Sequence, residues 1–348
     1  MAVLKNIQSG VKSFTGTSDS ITIDSVVTSK TIIFVSSSTD TTQDGPGAGL
    51  FTAHLSNSTT ISLSRDNNTG THTIRWYAVE FESGVNVQRG TINLTSTSQG
   101  VTLSTVTVSQ SWATITLRNL GTAYGNDDMV RGIITSATNL QLQVASAGTG
   151  GVDLVAWQVI DYDDATVQQI STGTTTATSN NQSISTIDIA KSFIVGASYT
   201  TTNCGANDMF RFYINSSTQV SFTRYAGASV DFNAYVVEIG DSGFSSQRGQ
   251  GTLASGSTSA TPMLTGVDTD RSIGIIGGVH GYLQNNNSTG EEFDKMSFSI
   301  YLSSSTQATL TRGASGQTAT YAWEVLEFPS GVRIPRHGFS IFQTPAIV

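Results

Sequence analysis

The chain has 348 residues, 37% of them hydrophobic and only 12% charged, with 34 Gly, 5 Pro, one Cys and a formal net charge of −8. Lys occurs only at positions 5, 12, 30, 191 and 295, so the basic footprint that grips phosphates is missing and nucleic-acid binding is not expected. No apolar run approaches the roughly 20 residues of a membrane helix, and Met1-Ala2-Val3-Leu4-Lys5 leads into polar residues where a signal peptide would carry its apolar core. Synthesis in a cytoplasm without membrane insertion is the expectation. The lone Cys204 excludes an intrachain disulfide. Ser, Thr, Val, Ile and Gly fill the rows where strong helix formers are scarce, which predicts an all-β protein.

In chain order the first element is an opening segment, Asn6-Ile7-Gln8-Ser9-Gly10, whose pattern returns as Val87-Gln88-Arg89-Gly90, Val167-Gln168-Gln169 and Ser246-Gln247-Arg248-Gly249. A strand is then predicted at Leu50–Leu55, Met129–Ile134, Met209–Ile214 and Met296–Leu302. The next reads Ile61-Ser62-Leu63-Ser64-Arg65, Leu140-Gln141-Leu142-Gln143-Val144, Val220-Ser221-Phe222-Thr223-Arg224 and Ala308-Thr309-Leu310-Thr311-Arg312. Its alternation is that of a strand with one buried face.

A third recurring strand closes each unit: Trp76-Tyr77-Ala78-Val79-Glu80-Phe81, Trp157-Gln158-Val159-Ile160-Asp161-Tyr162, Ala234-Tyr235-Val236-Val237-Glu238-Ile239 and Trp323-Glu324-Val325-Leu326-Glu327-Phe328. Successive copies start 81, 77 and 89 residues apart. The expected fold is therefore four tandem β-sandwich repeats, Ig-like or jelly-roll-like, over residues 1–84, 85–164, 165–243 and 244–331. Units so small bury a modest share of their surface and should lean on one another or on other subunits.

Residues 332–348 stand apart. Val332-Arg333-Ile334-Pro335-Arg336-His337-Gly338 repeats the opening pattern, but only one more strand of chain follows. Three of the five prolines, Pro329, Pro335 and Pro345, fall in or just before this stretch, so an extended C-terminal arm is expected. Phe339, Ile341 and Phe342 are its candidate subunit contacts, through pairing with an exposed sheet edge. The competing expectation packs the arm on the fourth repeat.

The Trp strands are apolar on both faces, which suits a central strand or a module interface. Trp76, Trp157 and Trp323 are alternatively candidates for stacking on a sugar ring. Arg65, Arg224 and Arg312 precede Glu80, Glu238 and Glu327 by 14 or 15 residues, and if the two strands form a hairpin these pairs make a structural clasp at the module end. Asp127, Asp128 and Asp208 lie in acidic loops that offer weak candidates for Ca²⁺, without the spacing of an EF-hand. A solvated turn is the plainer reading of those loops.

Gly240-Asp241-Ser242-Gly243 resembles the nucleophile motif of chymotrypsin-like serine proteases, but Ser242 aligns within the chain with the turn residues Ser83 and Ser330. No catalytic residue is assigned, and no enzyme is expected. Tandem β modules rich in Ser, Thr, Gly and Asn, with one Cys and no signal, resemble the virion structural proteins of tailed bacteriophages, of the fibre or capsid-decoration type. The resemblance implies assembly into a homo-oligomer, contact with other virion proteins and, for exposed modules, contact with host-surface glycans. A secreted or surface-displayed carbohydrate-binding adhesion protein is the alternative.

Overall fold

The computed structural model describes residues 1–40, 45–121, 125–147, 150–200, 210–224, 229–277, 282–284 and 293–330. Phe339, Ile341, Phe342 and Asp208 lie outside them. The chain is a tandem array of four β-sandwich modules, each made of two antiparallel sheets.

The first module holds β1 (Val3–Phe14), β2 (Ser18–Thr22), β3 (Thr31–Thr39), β4 (Thr52–Asn57), β5 (Thr60–Ser64) and β6 (His72–Ser83). The second holds β7 (Val85–Asn93), β8 (Ser98–Thr102), β9 (Ser111–Asn119), β10 (Arg131–Ser136), β11 (Asn139–Gln143) and β12 (Val152–Tyr162). In the third are β13 (Ala165–Thr175), β14 (Ser179–Ser183), β15 (Ser192–Thr200), β16 (Arg211–Ser216), β17 (Gln219–Thr223) and β18 (Val230–Ile239). The fourth contains β19 (Ser245–Leu253), β20 (Ser259–Ala260), β21 (Ser272–Ile276), β22 (Tyr282–Gln284), β23 (Ser299–Ser304), β24 (Gln307–Thr311) and β25 (Thr318–Glu327).

One topology serves all four. The closing strand is central in one sheet, as in β1-β6-β3, β7-β12-β9, β13-β18-β15 and β19-β25-β21, with β22 also paired to β25. The fifth strand is central in the other, as in β2-β5-β4. The tight hairpins are β4–β5, β10–β11, β16–β17 and β23–β24; apart from β21 and β22, which both pair with β25, successive strands of a module otherwise lie in different sheets. This explains the two burial patterns. β5 and β11 alternate because one face is covered, and β17 and β24 differ only in also burying Ser221 and Thr309, whereas Ala78, Val79, Glu80 and Phe81 in β6 are all buried because a second surface closes on that sheet.

That second surface is the neighbouring module. The fourth strand of each module lies on the large sheet of the next: β4 on β12, β7 and β9, β10 on β15 and β18, β16 on β25, and β23 on β3 and β6. The last of these joins module four to module one, so the array closes into a ring. The first strands repeat the closure, with β7, β13, β19 and β1 packing on the helical turns Thr28–Lys30, Val108–Gln110, Ile189–Lys191 and Thr269–Arg271 of the preceding modules. The support that each small module needs comes from within the chain.

At the centre six aromatic side chains form a cycle. Phe81 meets Tyr162 at 5.5 Å between ring centroids, Tyr162 meets Trp112 at 6.0 Å, and Trp112 meets Phe193 at 5.6 Å. Phe193 then meets Phe244 at 6.2 Å, Phe244 meets Phe328 at 5.6 Å, and Phe328 returns to Phe81 at 5.6 Å. All six are buried, and they come from all four modules. Centroid separations of 4.5–7 Å are those of favourable aromatic pairs.

Candidate functional site

Each module carries the same internal polar frame. Its opening Gln clamps a backbone amide 16 to 18 residues ahead: the Asp24 N–H donates to Gln8 Oε1 at 2.7 Å while Gln8 Nε2 donates to the Asp24 carbonyl at 3.1 Å. Gln88 clamps Ser104, Gln168 clamps Ser185 and Gln247 clamps Thr265 in the same two-bond manner. A side-chain amide thus stands in for one bridge of a sheet ladder, tying the first strand to the segment that leads from the second strand to the third.

The acids of the closing strands have a common partner, and it is not the expected arginine. Glu80 accepts from Val27 N–H at 2.8 Å, Asp161 from Thr107 at 3.1 Å, Glu238 from Asp188 at 3.1 Å and Glu327 from Asp268 at 3.3 Å. Each carboxylate therefore caps the helical turn of its own module. Glu80 also pairs with Lys5, and Glu327 with Arg271.

The clasps predicted between Arg65 and Glu80, Arg224 and Glu238, and Arg312 and Glu327 are replaced by another arrangement, because the two strands lie in opposite sheets and form no hairpin. Arg65 is 1% exposed and donates to the carbonyls of Gly16 (2.9 Å), Gly70 (2.7 Å), Asn68 and Thr69 (both 3.2 Å), Ala48 (3.3 Å) and Phe14 (3.5 Å). Arg224 donates to Ala177 and Thr175, and Arg312 to Ser257, Ala254 and Lys295. The guanidinium gathers loop ends that would otherwise leave carbonyls unpaired. Burial holds Arg65 and Arg312 below the usual arginine range.

The seams between modules use one further position, the residue after the Trp or Ala that opens the closing strand. Gln158 gives and takes a bond with the Ile33 backbone of module one, at 2.9 and 3.0 Å. Tyr235 OH donates to the Gly132 carbonyl at 3.1 Å and accepts from Ile134 N–H at 3.0 Å in module two. Glu324 accepts from Ile194 N–H of module three at 3.0 Å and pairs with Arg248 at 3.4 Å. Tyr77 meets the Gly274 and Leu302 backbone of module four. Burial outweighs Arg248 and pushes the Glu324 carboxyl up to about 7. Arg89, in the place of Arg248, reaches the Thr28 and Thr31 carbonyls of module one with Gln158 where the acid would stand, and burial lowers it to about 10.

Trp76, Trp157 and Trp323 lie in the core, at 7–9% exposure, each over the glycine opposite it: Gly10, Gly90 or Gly249. Their faces are therefore covered by protein, and stacking of a sugar on them is not supported. Asp128 is buried, accepting from Asn119 Nδ2 at 3.0 Å and from Gly125 N–H, while Asp127 is partly exposed. No group of three or more His, Cys, Asp or Glu side chains placed to hold a metal occurs among the described residues. Asp241 Oδ1 accepts from Gly243 N–H at 2.9 Å, which fixes the turn at Ser242.

Beyond the aromatic cycle the four modules surround a partly open axial cavity of about 240 Å³. Its walls are the third strands of all four modules, β3, β9, β15 and β21, joined by residues of the fourth strands and the segments before them. Sequence reasoning missed both the cycle and the cavity, although Trp112 and Phe193 open equivalent strands in modules two and three. No family model matches the chain, and no curated protein shows significant similarity to it.

Proposed function

We propose that the chain is a structural component of a tailed-bacteriophage virion, a fibre or capsid-decoration protein that works by assembly and surface contact, host attachment included, and not by catalysis. The filled ring carries this reading. The turns Thr28–Lys30, Val108–Gln110, Ile189–Lys191 and Thr269–Arg271 each have a first strand packed on them, and β1 takes the place beside Thr269–Arg271. Yet Val332-Arg333-Ile334-Pro335-Arg336-His337-Gly338 repeats the opening pattern a fifth time. A fifth opening segment, beyond the four first strands that pack on the four turns, suits contact with a second copy or another virion protein, with Phe339, Ile341 and Phe342 as its candidate contacts. Gln158, Tyr235, Glu324, Arg89 and Arg248 join one module to another, and the remaining polar frame holds each module together, which suits a part that works by assembly.

Mass spectrometry of phage particles purified from a lysate of the source culture tests the location, and many copies per particle are expected. Light scattering of the full chain beside a version ending at Ser330 tests the assembly. A defined oligomer that becomes monomeric on truncation is the expected result. Absence from particles overturns the virion reading, and an unchanged mass overturns the role of the arm.

A further inference from the structure

The axial cavity has the properties of a preformed binding site. Among the described residues, no acid, base or histidine lines it. Its walls are mainly apolar, with Phe51, Ile115, Leu117, Val195, Ile276 and Phe298 facing it from all four modules. The polar side chains that border it spend their hydrogen bonds on the protein. Gln158 uses both ends of its amide on Ile33, Thr116 accepts from Ala53 N–H at 2.9 Å and donates to its carbonyl at 3.3 Å, and Ser36 accepts from Ile300 N–H at 3.1 Å. Tyr235 is held by Gly132 and Ile134, Thr114 accepts from Gln158, and Ser37 is bonded to His72. Water retained in a cavity needs two to four polar partners, and these groups are already engaged. A charged or hydroxylated guest would give up its hydration for little return, whereas an apolar guest loses nothing and gains contact with the walls.

Size sets a further limit. Benzene fills an apolar cavity of about 150 Å³, so a space of about 240 Å³ takes a guest of about ten non-hydrogen atoms. The floor is rigid, because Trp112 and Phe193 of the aromatic cycle directly precede Ala113 and stand two residues before Val195 on the same strands. We propose that this cavity binds a small uncharged apolar molecule, a fused aromatic ring or a short aliphatic chain, one per ring.

Titration of the full chain with naphthalene, read by naphthalene fluorescence and by the methyl NMR shifts of Ile115, Val195 and Ile276, tests the proposal. Saturable one-to-one binding with shifts centred on those methyls is expected, and naphthalene-2-sulfonate should bind at least tenfold more weakly. Ile115→Trp, which fills the space, should weaken naphthalene binding at least tenfold while the far-ultraviolet circular dichroism stays unchanged. If that variant does not fold, Val195→Phe serves, and the methyl shifts of the unaltered protein decide independently. Unsaturable binding, equal binding of the sulfonate, or shifts spread away from the cavity would overturn the proposal. So would binding seen only after residues 331–348 are removed, since the chain's own end would then be the occupant.

Discussion

Gly10 stands directly across β1 and β6 from Trp76, so close that a Cβ at residue 10 would meet the indole at 2.8 Å. Gly90 and Trp157 repeat this at 3.0 Å, and Gly249 and Trp323 at 2.7 Å. Module three inverts the pair, with Ile170 opposite Ala234. The bulk is conserved while its strand of origin changes, as expected where one cross-strand pair fills a fixed volume. Gly249→Ala should lower stability by about 1–3 kcal/mol through overpacking. Ala234→Trp should cost a similar amount alone and be largely rescued by Ile170→Gly. Denaturant midpoints of the three variants check this, and an unrescued double variant would show the two sites to be independent.

Much of the module was legible in the sequence because its closing strand is self-similar and its fifth strand alternates. Period 2 tells which face of a strand is buried, but not which sheet the strand joins. That is why Arg65 and Glu80, adjacent strands in sequence, were expected to pair and instead serve separate sheets. Ring closure was not legible, since it depends on four modules meeting at once and no local pattern encodes a contact between Ser36 and Ile300. Two signals did lie in the sequence. The polar residues Tyr77, Gln158, Tyr235 and Glu324 interrupt apolar strands at one aligned position, and all four mark seams. The exchange of Trp and Gly for Ala and Ile marks a touching pair.

Arg65 should be the most costly of the loop residues to replace. Its guanidinium satisfies carbonyls from three separate loop regions, and lysine cannot reach them as a planar fork. Arg65→Lys is expected to destabilise by about 2–4 kcal/mol, mostly from carbonyls left buried without donors. Module two is built with Val144 in this position, so the loss should appear as local opening of the first module, visible as faster hydrogen exchange at residues 65–71. Uniform exchange across all modules would contradict that.

Tyr162 presents the opposite case. Its hydroxyl is buried in the aromatic cycle without a hydrogen-bond partner, and burial raises its ionisation well above the ordinary tyrosine range. Tyr162→Phe keeps both ring contacts and removes an unsatisfied donor. Stability should hold or rise by about 1 kcal/mol. A loss above that range in thermal unfolding would reveal a partner for the hydroxyl.

Glu324 gives the third seam a dependence on pH. Its carboxyl is held up to about 7 when folded, against 4.5 ordinarily, so between those values the folded chain binds more protons than the unfolded one. The stabilisation is full below about pH 4.5 and is lost as pH rises through 7, by up to about 3 kcal/mol. Glu324→Gln installs the residue that module two already uses beside Arg89, and its amide can both accept from Ile194 N–H and donate to the Ile194 carbonyl. The variant should match the parent near pH 4, where the carboxyl is largely neutral in both states, and be more stable than it at pH 8. Parallel pH profiles for the two proteins would remove Glu324 as the cause.

The ring also predicts tolerance to relocation of the chain ends. β1 occupies beside Thr269–Arg271 the place that β7, β13 and β19 occupy beside the other turns, so by the pseudo-fourfold arrangement β25 ends near where β1 begins. The other three junctions need only one to five residues, as from Ser83 at the end of β6 to Val85 at the start of β7. A chain that joins Ser330 to Ala2 through a short glycine linker, and opens instead between Asp163 and Asp164, keeps every seam intact. Among the described residues it loses the exposed pair between the Met1 amino group and Asp164, which at a solvated surface contributes little. The opened site is an exposed turn of the kind that accepts new termini. The permuted protein should therefore unfold in one transition, within a few degrees of the version ending at Ser330. Two separated transitions, or a chain that fails to fold, would show that the seam between modules four and one is weaker than the other three and that the ring is held mainly by covalent continuity.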